Sequence, residues 1–76
     1  MITVKLYGLL RLDSGIKEKQ LQAASVKEVL DALGAFGIDR KALRSCVILV
    51  NGSSANAKSK LADGDTVVLM SPVAGG

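Results

Sequence analysis

The residues best suited to take part in a chemical step are the last five, Pro72-Val73-Ala74-Gly75-Gly76. A glycine pair leaves the terminal carboxylate with no side chain beside it, so this segment can enter a channel too narrow for other residues. The carboxylate is ionised at neutral pH and its charge repels nucleophiles. Attack by the carboxylate on the α-phosphate of ATP would give an acyl-adenylate, from which a sulfur or amine nucleophile could displace AMP. An unstructured chain end is the alternative interpretation.

The proline at the start of this segment affects its shape. Pro72 fixes one backbone angle and removes one N–H donor, which favours an extended tail over one that folds back on the domain. We therefore predict a folded domain of residues 1–71, followed by a flexible tail of residues 72–76 that ends in Gly-Gly.

The rest of the sequence offers few groups for catalysis. It has no histidine, which is the commonest general base and metal ligand. Cys46 begins an apolar run and is interpreted as a small core residue. Asp63-Gly64-Asp65 is typical of a turn, and two carboxylates are too few for a calcium loop. The glycines form no phosphate-binding fingerprint. We expect no catalytic residue, no metal and no bound cofactor.

Composition narrows the class of protein further. A chain of 76 residues that is 49% hydrophobic predicts one compact domain. No apolar run is long enough for a membrane span, no signal peptide is evident, and the single cysteine cannot form an internal disulfide. We therefore expect a cytoplasmic protein that makes no membrane contact.

The net charge of +3 lacks the dense basic block that is typical of nucleic-acid arms. Basic residues collect loosely at two places, Arg40-Lys41-Arg44 and Lys58-Lys60. An RNA-binding module is a hypothesis from a different class, but aromatic side chains for base stacking are nearly absent. Nucleic acid is therefore not the expected partner.

Hydrophobic periodicity predicts the first half of the fold. Ile2, Val4 and Leu6 alternate with polar residues, which indicates a strand with one buried face. The turn signal Asp13-Ser14-Gly15 then predicts a hairpin to a second strand over residues 17–23. Ser25 to Glu28 is a capping-box sequence that begins a helix ending near Gly37. The elements of this half are therefore strand, strand and helix.

The second half is predicted to contain two more strands. Asp39 can cap a short helical turn over residues 40–44, and Cys46–Val50 is typical of a wholly buried strand. Asn51-Gly52 predicts a tight turn, residues 53–60 a polar loop, and residues 66–70 the last strand. The mid-helix Gly34 is expected to let the helix approach the sheet closely. The order is that of an α+β domain with one main helix.

One amphipathic helix covers only one face of such a sheet. If Val67 and Leu69 face the helix, Val68 and Met70 face the opposite side, together with Tyr7. These three residues predict an apolar patch of the kind that marks protein–protein contacts. Isolated surface hydrophobic residues are the alternative interpretation.

The whole chain resembles the sulfur-carrier family of ubiquitin-like β-grasp proteins, and within it the small subunit of molybdopterin synthase. Order and spacing agree for the segments "MITVKLYG", "LRLDSG", "SVKEVLDAL", "VILVNG", "LADGDTVVLM" and "SPVAGG". The resemblance implies a mixed four- to five-stranded sheet with one main helix packed on one face. It also implies a carrier rather than an enzyme, because a larger partner subunit supplies the catalysis.

The resemblance assigns roles to the tail and to the patch. Gly76 is the expected site of adenylation and thiocarboxylate formation, and Pro72, Val73, Ala74 and Gly75 are expected to enter partner active sites with it. Tyr7 and Met70 lie where family members often carry partner-contacting phenylalanines. The implied partners are an E1-like adenylating enzyme that uses ATP, a sulfur donor protein and the catalytic subunit of the synthase.

One departure from the branch leaves the pathway open. Leu69-Met70 and Ser71-Pro72 stand where the branch often has two phenylalanines and two prolines. Related carriers serve thiazole synthesis, cysteine or methionine synthesis, tungsten-cofactor assembly or isopeptide tagging of proteins. These alternatives remain beside the molybdopterin assignment.

Overall fold

The computed structural model describes residues 1–71, and the predicted tail of residues 72–76 lies outside this range. The secondary-structure elements in chain order are β1 (Ile2–Tyr7), α1 (Leu9–Ser14), β2 (Glu18–Leu21), α2 (Val26–Ala35), α3 (Arg40–Ser45), β3 (Val47–Val50), β4 (Ser53–Ser54) and β5 (Thr66–Met70). No helix within residues 1–71 is long and apolar enough to cross a membrane.

The strands form one mixed five-stranded sheet in the order β2-β1-β5-β3-β4. β1 and β5 pair in parallel at its centre, whereas β1–β2, β3–β5 and β3–β4 are antiparallel. The predicted α+β architecture with a mixed sheet is therefore confirmed. The last strand of the chain is also the middle strand of the sheet.

The core lies between one face of this sheet and the helices. Val67 and Leu69 of β5 are fully buried, as are Val29 and Leu33 of α2. This alternation along β5 follows from the period of two in a strand. The buried core cluster comprises Ile2, Val4, Leu6, Leu10, Val29, Leu33, Ile38, Leu43, Val67 and Leu69.

The main helix, α2, begins where the capping-box sequence predicts. The Ser25 hydroxyl oxygen accepts a hydrogen bond from the Glu28 N–H at 3.4 Å. The return bond differs from the prediction, because the Glu28 carboxylate accepts from the N–H of Ala24, at 3.4 Å, and not from that of Ser25. Gly37 follows the helix with a φ of 96°, a left-handed conformation that glycine adopts without steric cost.

The predicted pairing of the first two strands is confirmed, since β1 and β2 are antiparallel. The connection between them differs from the predicted turn, because Leu9–Ser14 form a short helix, α1. α1 places Leu10 in the core and ends at Gly15, whose N–H donates to the carbonyl of Arg11 at 2.9 Å. The second strand is also shorter than the predicted residues 17–23, since only Glu18–Leu21 pair with β1.

Gly34 does not serve the purpose that its position in α2 suggested. A side chain there would first meet Arg40, whose Nε lies 3.6 Å from an ideal Cβ, at ordinary contact distance. The sheet contributes no atom to this contact, so the predicted close approach to the sheet is wrong. The polar loop prediction also missed β4, which pairs with β3 through the tight turn at Asn51-Gly52.

A polar cross-link joins the end of β3 to the start of β5. The Asp65 carboxylate accepts hydrogen bonds from the Ala62 N–H at 2.8 Å and from the Asn51 amide at 2.9 Å. The Asn51 side-chain oxygen in turn accepts from the Thr66 N–H at 3.0 Å. These bonds, chiefly the one from Ala62, lower the pKa of Asp65. The predicted turn is thus confirmed, and its carboxylate orients the Asn51 amide, whose oxygen holds the first residue of the central strand.

We expect Asp65→Asn to destabilise the fold at neutral pH, with a difference that disappears in acid. Because the pKa of Asp65 is lowered on folding, the ionised form contributes stability above the ordinary carboxyl pKa, and this contribution is lost as the pH falls through the lowered value. Urea unfolding of both proteins between neutral pH and about pH 3 measures the effect. Asp13→Asn, at an exposed residue of α1, is the control; equal pH dependence of the wild-type and Asp65→Asn proteins would contradict the prediction.

Candidate functional site

The candidate site lies at the carboxyl end of β5. Met70 is the last residue of this strand, and Ser71 is the last residue that the structure describes. The predicted tail residues Pro72, Val73, Ala74, Gly75 and Gly76 follow directly in the sequence. They lie outside the described residues, so their roles stay predictions, as does the boundary between domain and tail.

The three residues predicted to form an apolar patch are brought together. Tyr7 is the register partner of Met70 across the parallel β1–β5 pair, and Val68 lies two residues earlier on β5. All three therefore lie on the face opposite to the core. Tyr7 is 41% exposed, and Val68 and Met70 are partly exposed. Their role in partner binding is not tested by this geometry and stays a prediction.

Two residues of β3 enlarge this surface, and sequence reasoning missed both. Val47 is the register partner of Met70, and Leu49 is that of Val68. Val47 is 46% exposed, so the prediction of a wholly buried strand is wrong. A continuous apolar run carries no alternation to indicate which face is open. We call the five residues Tyr7, Val47, Leu49, Val68 and Met70 the open-face patch.

The end of β5 is attached to the start of α1. The Ser71 hydroxyl oxygen accepts hydrogen bonds from the Leu9 N–H at 2.6 Å and from the Leu10 N–H at 3.3 Å. These are the first two N–H groups of α1, which have no acceptor within the helix. The last described residue is therefore held in place immediately before the predicted tail.

The basic residues of the two sequence clusters, 40–44 and 58–60, lie on α3 and in the loop before β5. Arg40 and Arg44 of α3 line a cleft with Lys27 and Asp31 of α2, and Leu30 and Leu43 complete its lining. Lys58 and Lys60 lie in the loop before β5. No aromatic side chain lines the cleft, so it provides no platform on which a base could stack. The structure thus gives the RNA-binding hypothesis no support beyond charge.

Cys46 lies at the edge of the core and not inside it. Its side chain is partly buried and packs against the core cluster, and its Sγ lies 2.9 Å from the carbonyl oxygen of Leu43, to which the thiol donates. Burial raises the pKa of this thiol, which disfavours the reactive thiolate. Within residues 1–71 no group of three or more histidine, cysteine or acidic residues could hold a metal ion.

We expect Cys46 to react with iodoacetamide about tenfold more slowly than glutathione at pH 8, because a raised pKa and burial both reduce the accessible thiolate. Mass spectrometry of the intact protein over time measures the rate. Unfolding in urea serves as the control and should remove the difference. A folded-state rate equal to that of glutathione would contradict the predicted suppression of the thiolate.

A mixed sheet with α2 across one face and the other face open defines a ubiquitin-like β-grasp protein. The chain belongs to the ThiS family, whose sequence model matches residues 4–76. It is therefore a ubiquitin-like sulfur-carrier protein. Small carriers of this type are generally non-catalytic. No curated protein shows significant sequence similarity to the chain.

Solved structures with the same fold include carriers and modifiers. SAMP1 from Haloferax volcanii is 27% identical, with a TM-score of 0.80 over 99% of this chain and 98% of that one. The complex of subunit 1 and 2 of the molybdopterin-converting factor from Helicobacter pylori includes a chain that is 26% identical to this one. The TM-score is 0.74, and the match covers 99% of this chain and 97% of that one. The BexX/CysO complex of Amycolatopsis orientalis includes a chain 26% identical, with a TM-score of 0.79 over all of both chains.

Proposed function

We propose that this protein carries sulfur for molybdopterin biosynthesis as a thiocarboxylate on Gly76. The observation that carries the proposal is the family match, which extends to Gly76 and thus includes the glycine pair that follows the central strand. A likeness to one subunit of a molybdopterin-converting factor supports the choice of pathway. The proposed partners are an E1-like adenylating enzyme, a sulfur donor protein and a larger catalytic subunit of molybdopterin synthase.

The proposed chemistry takes place at one carboxyl group. The Gly76 carboxylate attacks the α-phosphorus of ATP on the adenylating enzyme, and pyrophosphate leaves. The terminal sulfur of a cysteine persulfide on the donor protein then attacks the acyl carbon, so that a C–S bond forms and AMP leaves. A second thiol cleaves the S–S bond of the resulting acyl disulfide, which releases the thiocarboxylate and leaves a disulfide on the donor side. Adenylation is required because the free carboxylate repels nucleophiles and lacks a good leaving group. ATP is thus a substrate of the partner enzyme and not a cofactor of this chain.

The folded domain serves as the surface that partners bind. The open-face patch consists of five apolar residues on three neighbouring strands, and such contiguous patches mark interaction sites. It ends at Met70, one residue before Ser71 and two before the predicted tail. A partner bound on the patch would therefore have the tail at the edge of its interface.

A ubiquitin-like modifier is the second candidate function. The observation that favours it is the likeness to SAMP1, described as small archaeal modifier protein 1, at 27% identity. In this case an amine of a target lysine displaces AMP from the same acyl-adenylate. Likeness to a CysO chain and membership of the ThiS family keep amino-acid and thiazole synthesis as further pathways for the same thiocarboxylate.

We expect the purified chain to gain the mass of one oxygen-to-sulfur replacement when it is incubated with ATP, sulfide and a cognate adenylating enzyme. Fragmentation should place the change at Gly76, because only that residue carries the α-carboxylate. A variant lacking Gly76 is the control and should gain nothing, since its shortened tail no longer reaches the adenylation site in register. No mass gain on the wild-type chain would count against a sulfur carrier.

The products separate the two functions. Transfer of sulfur from the thiocarboxylate to a pterin precursor in the presence of the catalytic subunit supports the molybdopterin assignment. Lysine-linked conjugates that disappear when Gly76 is deleted support the modifier. A thiocarboxylate that transfers its sulfur only to a thiazole or amino-acid precursor would overturn the choice of pathway but not the carrier role.

We expect Val47→Asp to raise the KM for the carrier in adenylation by about tenfold or more, because a charge in the middle of an apolar interface loses hydration on binding. Val47 is exposed in the free protein, so the fold should tolerate the change. ATP–pyrophosphate exchange measures the KM. Gln20→Asp, on the same sheet face but on β2, is the matched control; an equal effect of both variants would contradict a role for the patch.

A further inference from the structure

The end of the central strand is held by a contact between residues 62 positions apart in the sequence. The Ser71 hydroxyl oxygen accepts from the N–H groups of both Leu9 and Leu10, at 2.6 and 3.3 Å. α1 has no capping side chain of its own at this end, since its N-cap residue is Gly8. Ser71 therefore caps α1 from another part of the chain.

Gly8 makes this contact possible. An ideal Cβ on Gly8 would lie 2.8 Å from the Ser71 hydroxyl oxygen and 3.0 Å from its carbonyl oxygen. Gly8 also has a φ of 67° and a ψ of −142°, a conformation that residues with a Cβ rarely adopt. Any side chain at Gly8 would therefore push against Ser71. We call the contact of Gly8, Leu9 and Leu10 with Ser71 the Ser71 latch.

Other glycines with positive φ do not share this property. Gly15, Gly37, Gly52 and Gly64 have φ values between 73° and 96°, and a Cβ on any of them would meet nothing within 4 Å. Their conformations serve turns and helix ends. Among the positive-φ glycines within residues 1–71, only Gly8 has atoms within 4 Å of the position that a Cβ would take, and the three nearest atoms all belong to Ser71.

We infer that Ser71 is a positioning residue, which through the Ser71 latch fixes the point from which the tail reaches the adenylating enzyme. The inference rests on the proposed function, because it concerns the rate at which Gly76 reacts. When Ser71 is held in one position, the tail has fewer orientations to choose from. Less conformational entropy is therefore lost when the Gly76 carboxylate is placed against ATP. Since the open-face patch provides the binding, the latch should act on kcat and not on KM.

We expect Ser71→Ala to lower kcat for adenylation about tenfold, the scale set by loss of orientation of a reacting group. The KM for the carrier should stay near the wild-type value. Loss of folded protein would have the opposite signature, because the carrier is the substrate and a smaller folded fraction raises its apparent KM. ATP–pyrophosphate exchange with a cognate adenylating enzyme measures both constants.

Conservative and matched variants complete the kinetic test. Ser71→Thr keeps the hydroxyl acceptor and should retain most of the wild-type kcat. Ser14→Ala removes hydrogen bonds at the opposite end of α1, where the Ser14 hydroxyl donates to the Leu10 carbonyl at 2.6 Å and accepts from the Ile16 N–H at 3.1 Å. It should leave kcat unchanged. A wild-type kcat in Ser71→Ala, or an equal loss in Ser14→Ala, would overturn the inference.

Gly8→Ala tests the Ser71 latch by a change in the residue that Ser71 contacts. It should lower kcat as Ser71→Ala does, because its Cβ displaces Ser71. Gly52→Ala also places a side chain at positive φ, but it has nothing within 4 Å, so it reports backbone strain alone and should leave kcat unchanged. An equal loss in both glycine variants would show that strain, and not the latch, is responsible.

Hydrogen exchange on the free protein separates failure of the inference from failure of the proposed function. The Leu9 and Leu10 amides should exchange slowly in the wild-type protein and quickly in Ser71→Ala. If these amides are protected but the wild-type chain is never adenylated, the proposed function fails, and with it the positioning role, while the contact stands. If the amides exchange quickly in the wild-type protein, the latch itself is overturned whatever the kinetics show.

Discussion

The structure depends on the parallel pairing of β1 with β5 at the centre of the sheet. The first strand and the last strand within residues 1–71 lie side by side, and their pairing joins β2 on one side of the sheet to β3 and β4 on the other. Burial of Val67 and Leu69 on one face of β5 requires Val68 and Met70 to lie on the other, because strand side chains alternate. Burial of one face of these two strands and exposure of Tyr7, Val68 and Met70 on the other are therefore consequences of one pairing.

Periodic segments of the sequence predicted their own structure well. β1 alternates between apolar and polar residues, and α2 carries both a capping serine and an apolar stripe, so local signals and tertiary packing agree. α1 was missed because its leucines show neither period clearly over six residues, and its N-terminal cap is supplied by Ser71 from the other end of the chain. Local sequence does not contain a cap that is 62 residues away.

The candidate site was predicted only in part for a similar reason. Tyr7 follows from the alternation of β1. Val68 and Met70 follow from the period of two once Val67 and Leu69 of the apolar strand β5 are assigned to the core, whereas a strand predicted to be wholly buried leaves no open face for Val47 and Leu49. Their exposure is decided by the antiparallel register of β3 against β5. A one-residue shift in that register would turn both side chains into the core. Pairing, and not composition, thus determines the size of the patch.

The length of the tail links the patch to the reaction under the proposed function. Five residues after Ser71 span at most about 17 Å when fully extended. The adenylation site of a partner must therefore lie within that distance of Ser71 while the partner also contacts the patch. Because Met70 belongs to the patch and precedes Ser71 directly, both requirements are met on one side of the domain. With so short a tail, even a small displacement of Ser71 is a large fraction of the distance that the tail can span. A fixed position of Ser71 therefore matters more than it would before a longer tail.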